Sequence, residues 1–157
     1  MLFVRYILPL ALALPLLAGA TSPIIDCVEI KTSAPNNAIA KFWYRVPKNY
    51  DATRRERYRI LVLFGGRNCD GKKEVSGKLG WPSWADMNGI FLVAPTFKDD
   101  AYWQPEAWSG RALLDALDAI GARYRIAKTG LLFYGYSAGS QARTSSLHGV
   151  PIFAVPT

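Results

Sequence analysis

One short stretch of the chain combines residue types and a spacing that suit nucleophilic chemistry. Gly135-Tyr136-Ser137-Ala138-Gly139 has the Gly-x-Ser-x-Gly pattern, which is typical of a serine held on a sharp turn between a buried strand and a helix. A serine exposed on such a turn can attack an acyl carbon and form a covalent acyl-enzyme. We therefore predict that Ser137 is a nucleophile.

Acyl transfer also needs N–H groups that stabilise the negative charge developing on the substrate oxygen. One donor is expected to be the N–H of Ala138, because the helix after the serine begins there and its N-terminus has a positive potential. The second should come from the loop after an earlier strand, where the sequence reads Phe64-Gly65-Gly66-Arg67-Asn68. We expect the N–H of Gly66 or of Arg67 to serve. The alternative is a plain strand-to-helix turn whose glycines serve geometry only.

The base and the acid that a serine nucleophile requires are not evident in the sequence. No Asp or Glu follows Ser137, and the only histidine of the chain is His148. If a helix runs from Ala138 to Leu147, a rise of about 1.5 Å per residue puts His148 roughly 15 Å from Ser137. A base must come within about 3 Å of the serine. We therefore expect His148 to be a surface or loop histidine.

Hydrophobic patterning places the serine in an alternating series of strands and helices. Tyr58–Phe64, Gly89–Pro95 and Leu131–Tyr134 are nearly continuous apolar runs, typical of strands buried on both faces of a parallel sheet. The alternation predicts an α/β fold, with a mostly parallel sheet covered by helices on both faces. Ligands bind such sheets at the carboxyl ends of the strands, where the candidate residues lie. The other predicted elements are strands at Ile24–Lys31 and Ile39–Val46 and helices at Trp81–Asn88 and Ser109–Tyr124, with Ser109 as an N-cap.

These motifs resemble those of the α/β-hydrolases. Leu61–Gly66, Phe91–Pro95 and Gly135–Gly139 look like the third, fourth and fifth strands of that fold, with its oxyanion loop and nucleophile elbow. More loosely, Ile39 to Arg143 resembles secreted bacterial hydrolases of the polyhydroxybutyrate-depolymerase and feruloyl-esterase type. The resemblance implies cleavage of a small-molecule or polymeric ester through an acyl-enzyme. A peptidase of the same fold is an alternative, because amides use the same machinery.

The resemblance also implies that an acid and then a histidine follow the nucleophile. Because neither is available after Ser137, we expect residues 21–157 to be the N-terminal portion of a hydrolase domain that is incomplete at its C-terminus. Val150–Val155 would then be the sixth strand, and the chain alone would be inactive or nearly so. A fragment, a shifted reading frame and an early stop all fit this expectation. The alternative function is that of a truncated, non-catalytic relative or a binding module.

An aromatic stretch, Tyr102-Trp103-Gln104-Pro105-Glu106-Ala107-Trp108, follows the Gly89–Pro95 strand on the side of the predicted site. Its three aromatic side chains, Tyr102, Trp103 and Trp108, are candidates for lining an apolar or carbohydrate-bearing substrate cleft. They fit equally well as packing for the helix that begins at Ser109. Both interpretations stay open.

The first 20 residues predict export. They contain one basic residue, Arg5, then an apolar run from Tyr6 to Leu17 and the small-residue sequence Ala18-Gly19-Ala20. This pattern is typical of a secretory signal peptide cleaved after Ala20. A membrane anchor is disfavoured because the run is short and contains two prolines. The mature protein is expected to be secreted or periplasmic, with no membrane association after cleavage.

Composition limits the remaining classes of function. Half of the 157 residues are hydrophobic, which is enough for a buried core. Much of the net charge of +7 lies in Thr53–Arg59, which we interpret as a solvated connection and not as a nucleic-acid site. Cys27 and Cys69 are compatible with one disulfide or with two free thiols. Nothing in the sequence indicates a metal, nucleotide or redox cofactor.

Overall fold

The computed structural model describes residues 22–32, 39–96 and 107–145 of the chain. The predicted signal peptide, Tyr102, Trp103, His148 and the predicted sixth strand lie outside these ranges. Trp108 belongs to a helix, but its side chain also lies outside the description. Within these ranges no helix is both long and apolar enough to cross a membrane.

The elements follow the predicted order closely. All five predicted strands are present, each within two residues of its expected bounds, and the helix Trp81–Asn88 has the bounds expected from the sequence. Tyr58, which was predicted to begin the third strand, instead forms an isolated β-bridge to Ile126, and the strand begins at Arg59. The elements are β1 (Ile25–Lys31), β2 (Ile39–Arg45), β3 (Arg59–Phe64), α1 (Gly71–Ser76), a short 3-10 turn (Lys78–Gly80), α2 (Trp81–Asn88), β4 (Ile90–Thr96), α3 (Ala107–Gly121), β5 (Leu132–Gly135) and α4 (Ala138–Ser145).

The strands form one mixed sheet in the order β1-β2-β4-β3-β5. β3 pairs in parallel with β4 on one side and with β5 on the other, whereas β2 is antiparallel to both β1 and β4. The α/β prediction is confirmed, and the antiparallel part is the N-terminal hairpin. Because the chain passes from β3 to β4 and then returns past β3 to β5, the strand order reverses around β3. In open α/β sheets the carboxyl end at such a reversal is where ligands bind.

Helices cover both faces of the sheet, and the side chains of β3 are buried on both sides as a result. Its side chains alternate between two cores. Ile60, Val62 and Phe64 pack in the core that α3 covers, while Leu61 and Leu63 pack in the core on the other face, beneath α1 and α2. All five are at most 3% exposed. A central strand buried on both faces has no polar position, which explains the continuous apolar run in the sequence.

The helices differ from the sequence prediction at α1, which was not expected, and at α3, which begins at Ala107 instead of Ser109 and ends at Gly121 instead of Tyr124. α1 was not predicted, because a helix of six residues has too few turns to show an apolar stripe. It begins at an N-cap, Asp70, whose side chain accepts the Lys72 N–H at 3.0 Å. The prediction that Ser109 caps α3 is wrong: α3 begins two residues earlier, at Ala107, so Ser109 lies inside the first turn and is buried.

Cys27 and Cys69 are not joined by a disulfide in the structure. Cys27 lies on β1 and faces the carbonyl of Val28, and the Cys69 thiol lies 3.6 Å from the Pro95 carbonyl oxygen. Of the two arrangements compatible with the sequence, the structure therefore has the one without a disulfide.

The basic run before β3 is an exposed connection. Residues 53–57 are exposed, and the chain becomes buried only at Tyr58. The guanidinium of Arg54 lies 4.9 Å from the centre of the Tyr58 ring and 3.5 Å from a carboxylate oxygen of Glu56. The run leads into the amino end of β3. The turn that contains Tyr136 and Ser137, called the serine turn below, lies at the carboxyl end of β3.

Candidate active site

Ser137 lies on a sharp turn between β5 and α4. The strand ends at Gly135 and the helix begins at Ala138, so only Tyr136 and Ser137 connect them. Ser137 has a φ of +53°, in the left-handed region, and it is exposed. That conformation costs a residue with a side chain about 1 to 2 kcal/mol. The strand–turn–helix context expected for a nucleophile is therefore present, with the serine itself as the strained residue.

Two glycines let this turn lie directly against the end of β3. A Cβ on Gly139 would overlap the carbonyl oxygens of Phe64 and Gly65, and a Cβ on Gly135 would overlap the carbonyl oxygen of Gly139. The backbones of β3, β5 and α4 therefore meet without side chains between them. The spacing of the two glycines around Ser137 follows from this close approach.

Hydrogen bonds hold the turn in place. The Tyr136 N–H donates to the carbonyl of Phe64 at 3.3 Å, which ties the turn to β3. The Gly139 N–H donates to the carbonyl of Tyr136 at 3.0 Å, and the Ser140 N–H donates to that of Ser137 at 2.9 Å. The Ser140 hydroxyl donates to the carbonyl of Gly135 at 2.9 Å. Ala138 is the first residue of α4, where N–H groups have no partner within the helix.

The loop after β3 contacts the serine turn at Gly66. A Cβ at that position would lie 3.1 Å from a ring carbon of Tyr136 and 3.6 Å from the Cβ of Ser137. Gly66 is buried, and the next residue, Arg67, is exposed. The structure thus brings Gly66 next to Ser137, although the two are far apart in sequence. Both were predicted to belong to one site, together with Ala138, which directly follows Ser137.

A buried carboxylate that the sequence did not reveal lies behind the turn. Glu74, on α1, is 3% exposed, and its Oε1 accepts a hydrogen bond from the Tyr136 hydroxyl at 3.4 Å. The same oxygen lies 2.8 Å from the point where a Cβ of Gly65 would stand, and the Cys69 thiol lies 2.5 Å from that point. Lys72, Lys73 and Glu74 follow one another in sequence, so nothing local distinguishes the buried residue from its exposed neighbours.

The remaining candidates are not placed by the structure. Tyr102, Trp103 and His148 lie outside the described ranges, as does the side chain of Trp108. In the part of the chain that the structure describes, no group of three or more His, Cys, Asp or Glu side chains is arranged to hold a metal ion.

The strongest electrostatic perturbations lie away from the turn, at the hairpin. Asp26 accepts the Cys27 N–H at 2.7 Å, the Tyr44 hydroxyl at 3.0 Å and an Arg123 guanidinium N–H at 3.0 Å. These donors hold the pKa of the Asp26 carboxyl below its usual value. Burial, together with the hydrogen bond to Asp26, raises the pKa of Tyr44. The three residues connect β1, β2 and the segment after α3, so the network is structural.

Comparison with known proteins places the fold. No protein-family model and no curated protein sequence matches the chain. An S-formylglutathione hydrolase from Agrobacterium tumefaciens superimposes with a TM-score of 0.59 and 16% identity, over 79% of this chain and 52% of that one. A ferulic acid esterase gives 0.59 and 14%, over 78% and 52%. The dipeptidyl peptidase 4 of Porphyromonas gingivalis gives 0.54 and 18%, over 78% and 18%.

The chain has the α/β-hydrolase fold. Its strand order, its serine turn and its similarity to solved esterases and serine hydrolases agree on this point. At such low identity the similarity defines the fold alone. The chain spans about half the length of the two esterase and hydrolase structures.

Proposed function

We propose that this protein is a serine hydrolase that cleaves a carboxylic ester through an acyl-enzyme on Ser137. The observation that carries the proposal is the placement of an exposed, strained serine at a reversal of strand order, in contact with the Gly66 loop. Strain at a solvent-exposed polar residue needs a reason, and presentation of a nucleophile is one. The solved esterases of the same fold support the choice of an ester.

In the proposed reaction the Oγ of Ser137 attacks the acyl carbon of the ester. The carbonyl oxygen becomes negatively charged, and the N–H of Ala138 with that of Gly66 or Arg67 stabilises it. A base takes the serine proton and returns it to the departing alcohol; water then attacks the acyl-enzyme and releases the carboxylic acid. The described residues include no histidine, so the proposal assigns the nucleophile and the oxyanion donors and leaves the base unassigned.

Covalent labelling tests the nucleophile directly. A fluorophosphonate bonds to an activated serine oxygen, and we expect a single adduct on the peptide that contains Ser137. S137A should abolish it. S83A is the matched control, because Ser83 is an exposed serine on α2 and takes no part in the hydrogen bonds that hold the turn. Labelling that persists in S137A, or folded wild-type protein that does not react, would overturn the proposal.

Amide hydrolysis is the second candidate function. It is favoured by the dipeptidyl peptidase that shares the fold. Parallel assays with a p-nitrophenyl ester and a peptide p-nitroanilide distinguish the two. We expect turnover of the ester only, and weak turnover, because oxyanion donors alone retain a small part of the rate and the described residues supply no histidine base. Hydrolysis of the anilide in preference to the ester would favour the peptidase.

We further propose that residues 1–20 direct export and that the mature protein begins at Thr21. The apolar run and the small residues before the cleavage point support this. N-terminal sequencing of the protein recovered from an exporting host is the test. Recovery of an intact Met1 from the cell interior alone would contradict it.

A further inference from the structure

Glu74 is buried at a place where a charge must be compensated. The residue is 3% exposed, and burying a carboxylate is costly unless hydrogen bonds hold it. One such bond comes from the Tyr136 hydroxyl, at 3.4 Å from Oε1. Tyr136 is the residue immediately before the candidate nucleophile, so the carboxylate is one side chain away from Ser137.

The same carboxylate lies against the loop that follows β3. Its Oε1 is 2.8 Å from the point where a Cβ of Gly65 would stand, so the carboxylate lies directly against the backbone of that residue. Gly65 directly precedes Gly66, which contacts Tyr136 and Ser137. Glu74 therefore lies between the two segments whose separation an acyl-transfer site must hold constant: the serine turn and the loop carrying the second N–H donor.

The helix that carries Glu74 is firmly attached to the end of β4. Its first residue, Gly71, donates its N–H to the Thr96 hydroxyl at 2.6 Å, and a Cβ on Gly71 would stand 2.5 Å from the Ala94 carbonyl oxygen. Asp70 caps the helix. A side chain on such an anchored element can orient a neighbouring turn, because it has little freedom of its own.

We propose that Glu74 is a positioning residue that sets the orientation of the serine turn relative to the Gly65–Gly66 loop, acting through the Tyr136 hydroxyl. The proposal rests on the proposed function, since it gives Glu74 a role in acylation of Ser137. The close approach of Gly139 to β3 sets how near the two segments lie. Glu74 sets the orientation of the serine turn relative to the Gly65–Gly66 loop.

The first test separates reaction from binding in fluorophosphonate labelling of the full chain. E74Q keeps the side-chain size and removes the charge, and Y136F removes the hydroxyl alone. We expect each to lower the rate constant of the bond-forming step by about tenfold, with little change in reversible binding, because small misplacements of a reacting group are costly. The double variant should lose no more than Y136F alone, because the change at position 74 acts only through the Tyr136 hydroxyl.

V75A is the matched control. Val75 is the next residue of α1, and its side chain is fully buried in the hydrophobic core beneath α1 and α2. It should destabilise the protein as a cavity does and leave the labelling rate of the folded fraction unchanged. If V75A slows labelling as much as E74Q does, the role of Glu74 is only structural and the proposal is overturned.

Amide hydrogen exchange supplies a readout that does not depend on labelling. We expect E74Q to speed exchange in Gly65–Arg67 and in Tyr136–Gly139 while β1 and β2 keep wild-type rates. Unchanged exchange in both segments would overturn the positioning role. Faster exchange in E74Q, combined with a wild-type protein that fluorophosphonate does not label, would support the link and reject the proposed function.

Discussion

At the N-terminal edge of the sheet, polar side chains connect the elements, whereas at the serine turn the backbones meet where side chains are missing. Asp26 joins β1 to the Tyr44 hydroxyl of β2 and to Arg123. Arg45, at the end of β2, donates to Asp86 of α2 at 2.8 Å. The serine turn instead lies on β3 through Gly135 and Gly139.

The two regions differ in the substitutions that they tolerate. Side-chain pairs can shift or exchange partners, so a lost pair costs the energy of that pair. A backbone contact without room for a methyl group cannot accept one unless the strands move apart. A site that must hold a nucleophile within a fraction of an ångström of its donors benefits from the second kind of contact.

The largest effect is expected from an added methyl group at the turn. G139A introduces a Cβ that overlaps the carbonyl oxygens of Phe64 and Gly65, so we expect a loss of roughly 3 kcal/mol in the free energy of unfolding. Labelling of Ser137 should disappear as well. Urea unfolding measures the first effect.

G77A is the control for that experiment. A Cβ on Gly77 would meet nothing within 4 Å, so the change should stay within about 0.5 kcal/mol. Equal stabilities of G139A and wild type would show that the turn can move away from β3, and the contrast between the two regions would fail.

D86A is also expected to lower the free energy of unfolding by about 3 kcal/mol, but it should leave the labelling of Ser137 unchanged. Arg45 is 5% exposed, and removal of its partner leaves a buried charge unpaired. K48A removes the exposed partner of the same carboxylate, 4.0 Å away, and should cost less than about 1 kcal/mol. Thermal unfolding compares the two variants. Reduced labelling of folded D86A would contradict the independence of the two regions.

A smaller effect is expected at Ser137, where replacement by glycine should be better tolerated than replacement by alanine. Ser137 has a φ of +53°, which glycine adopts freely and alanine does not. S137G should therefore be about 0.5 to 1 kcal/mol more stable than S137A, after allowance for the greater entropy of unfolded glycine. Both variants should be unlabelled. If S137G is the less stable of the two, the turn is not strained in solution.

The smallest effect is expected from the hairpin network, and it depends on pH. The folded state holds the pKa of Asp26 below its unfolded value of about 3.9, so the carboxylate contributes stability above that value. The contribution disappears as the pH falls through the lower, folded pKa. Because the Asp26 side chain is 42% exposed, we expect less than about 1 kcal/mol.

D26N tests this expectation by urea unfolding at two pH values. The variant should be less stable than the wild type at pH 7, and the difference should shrink towards pH 2 as Asp26 becomes protonated in the folded state as well. A difference that is the same at both pH values would mean that the charge of Asp26 contributes nothing.

Local patterns in the sequence were enough to predict the strands and the serine turn. Ile60–Phe64 of β3 and Ile90–Pro95 of β4 are apolar because both of their faces are buried, and burial on both faces selects an apolar residue at every position. The Gly-x-Ser-x-Gly pattern predicted the turn because the pattern is a recognisable local signature, although the contact that requires Gly139 is made with Phe64 and Gly65 of a distant strand end. The α/β class followed from the alternation of these elements.

Only the tertiary structure decided the strand order, the burial of Glu74 and the contact of Gly66 with Ser137. Each depends on residues far apart in the chain: Glu74 is separated from Tyr136 by 62 positions. The free energy of burying a polar side chain depends on partners that local sequence does not specify, so a glutamate that follows two lysines looks like any surface residue. For this protein the sequence alone indicated which residues are candidates for the site, and the packing of β3 against β5 and α1 decided which of them lie together.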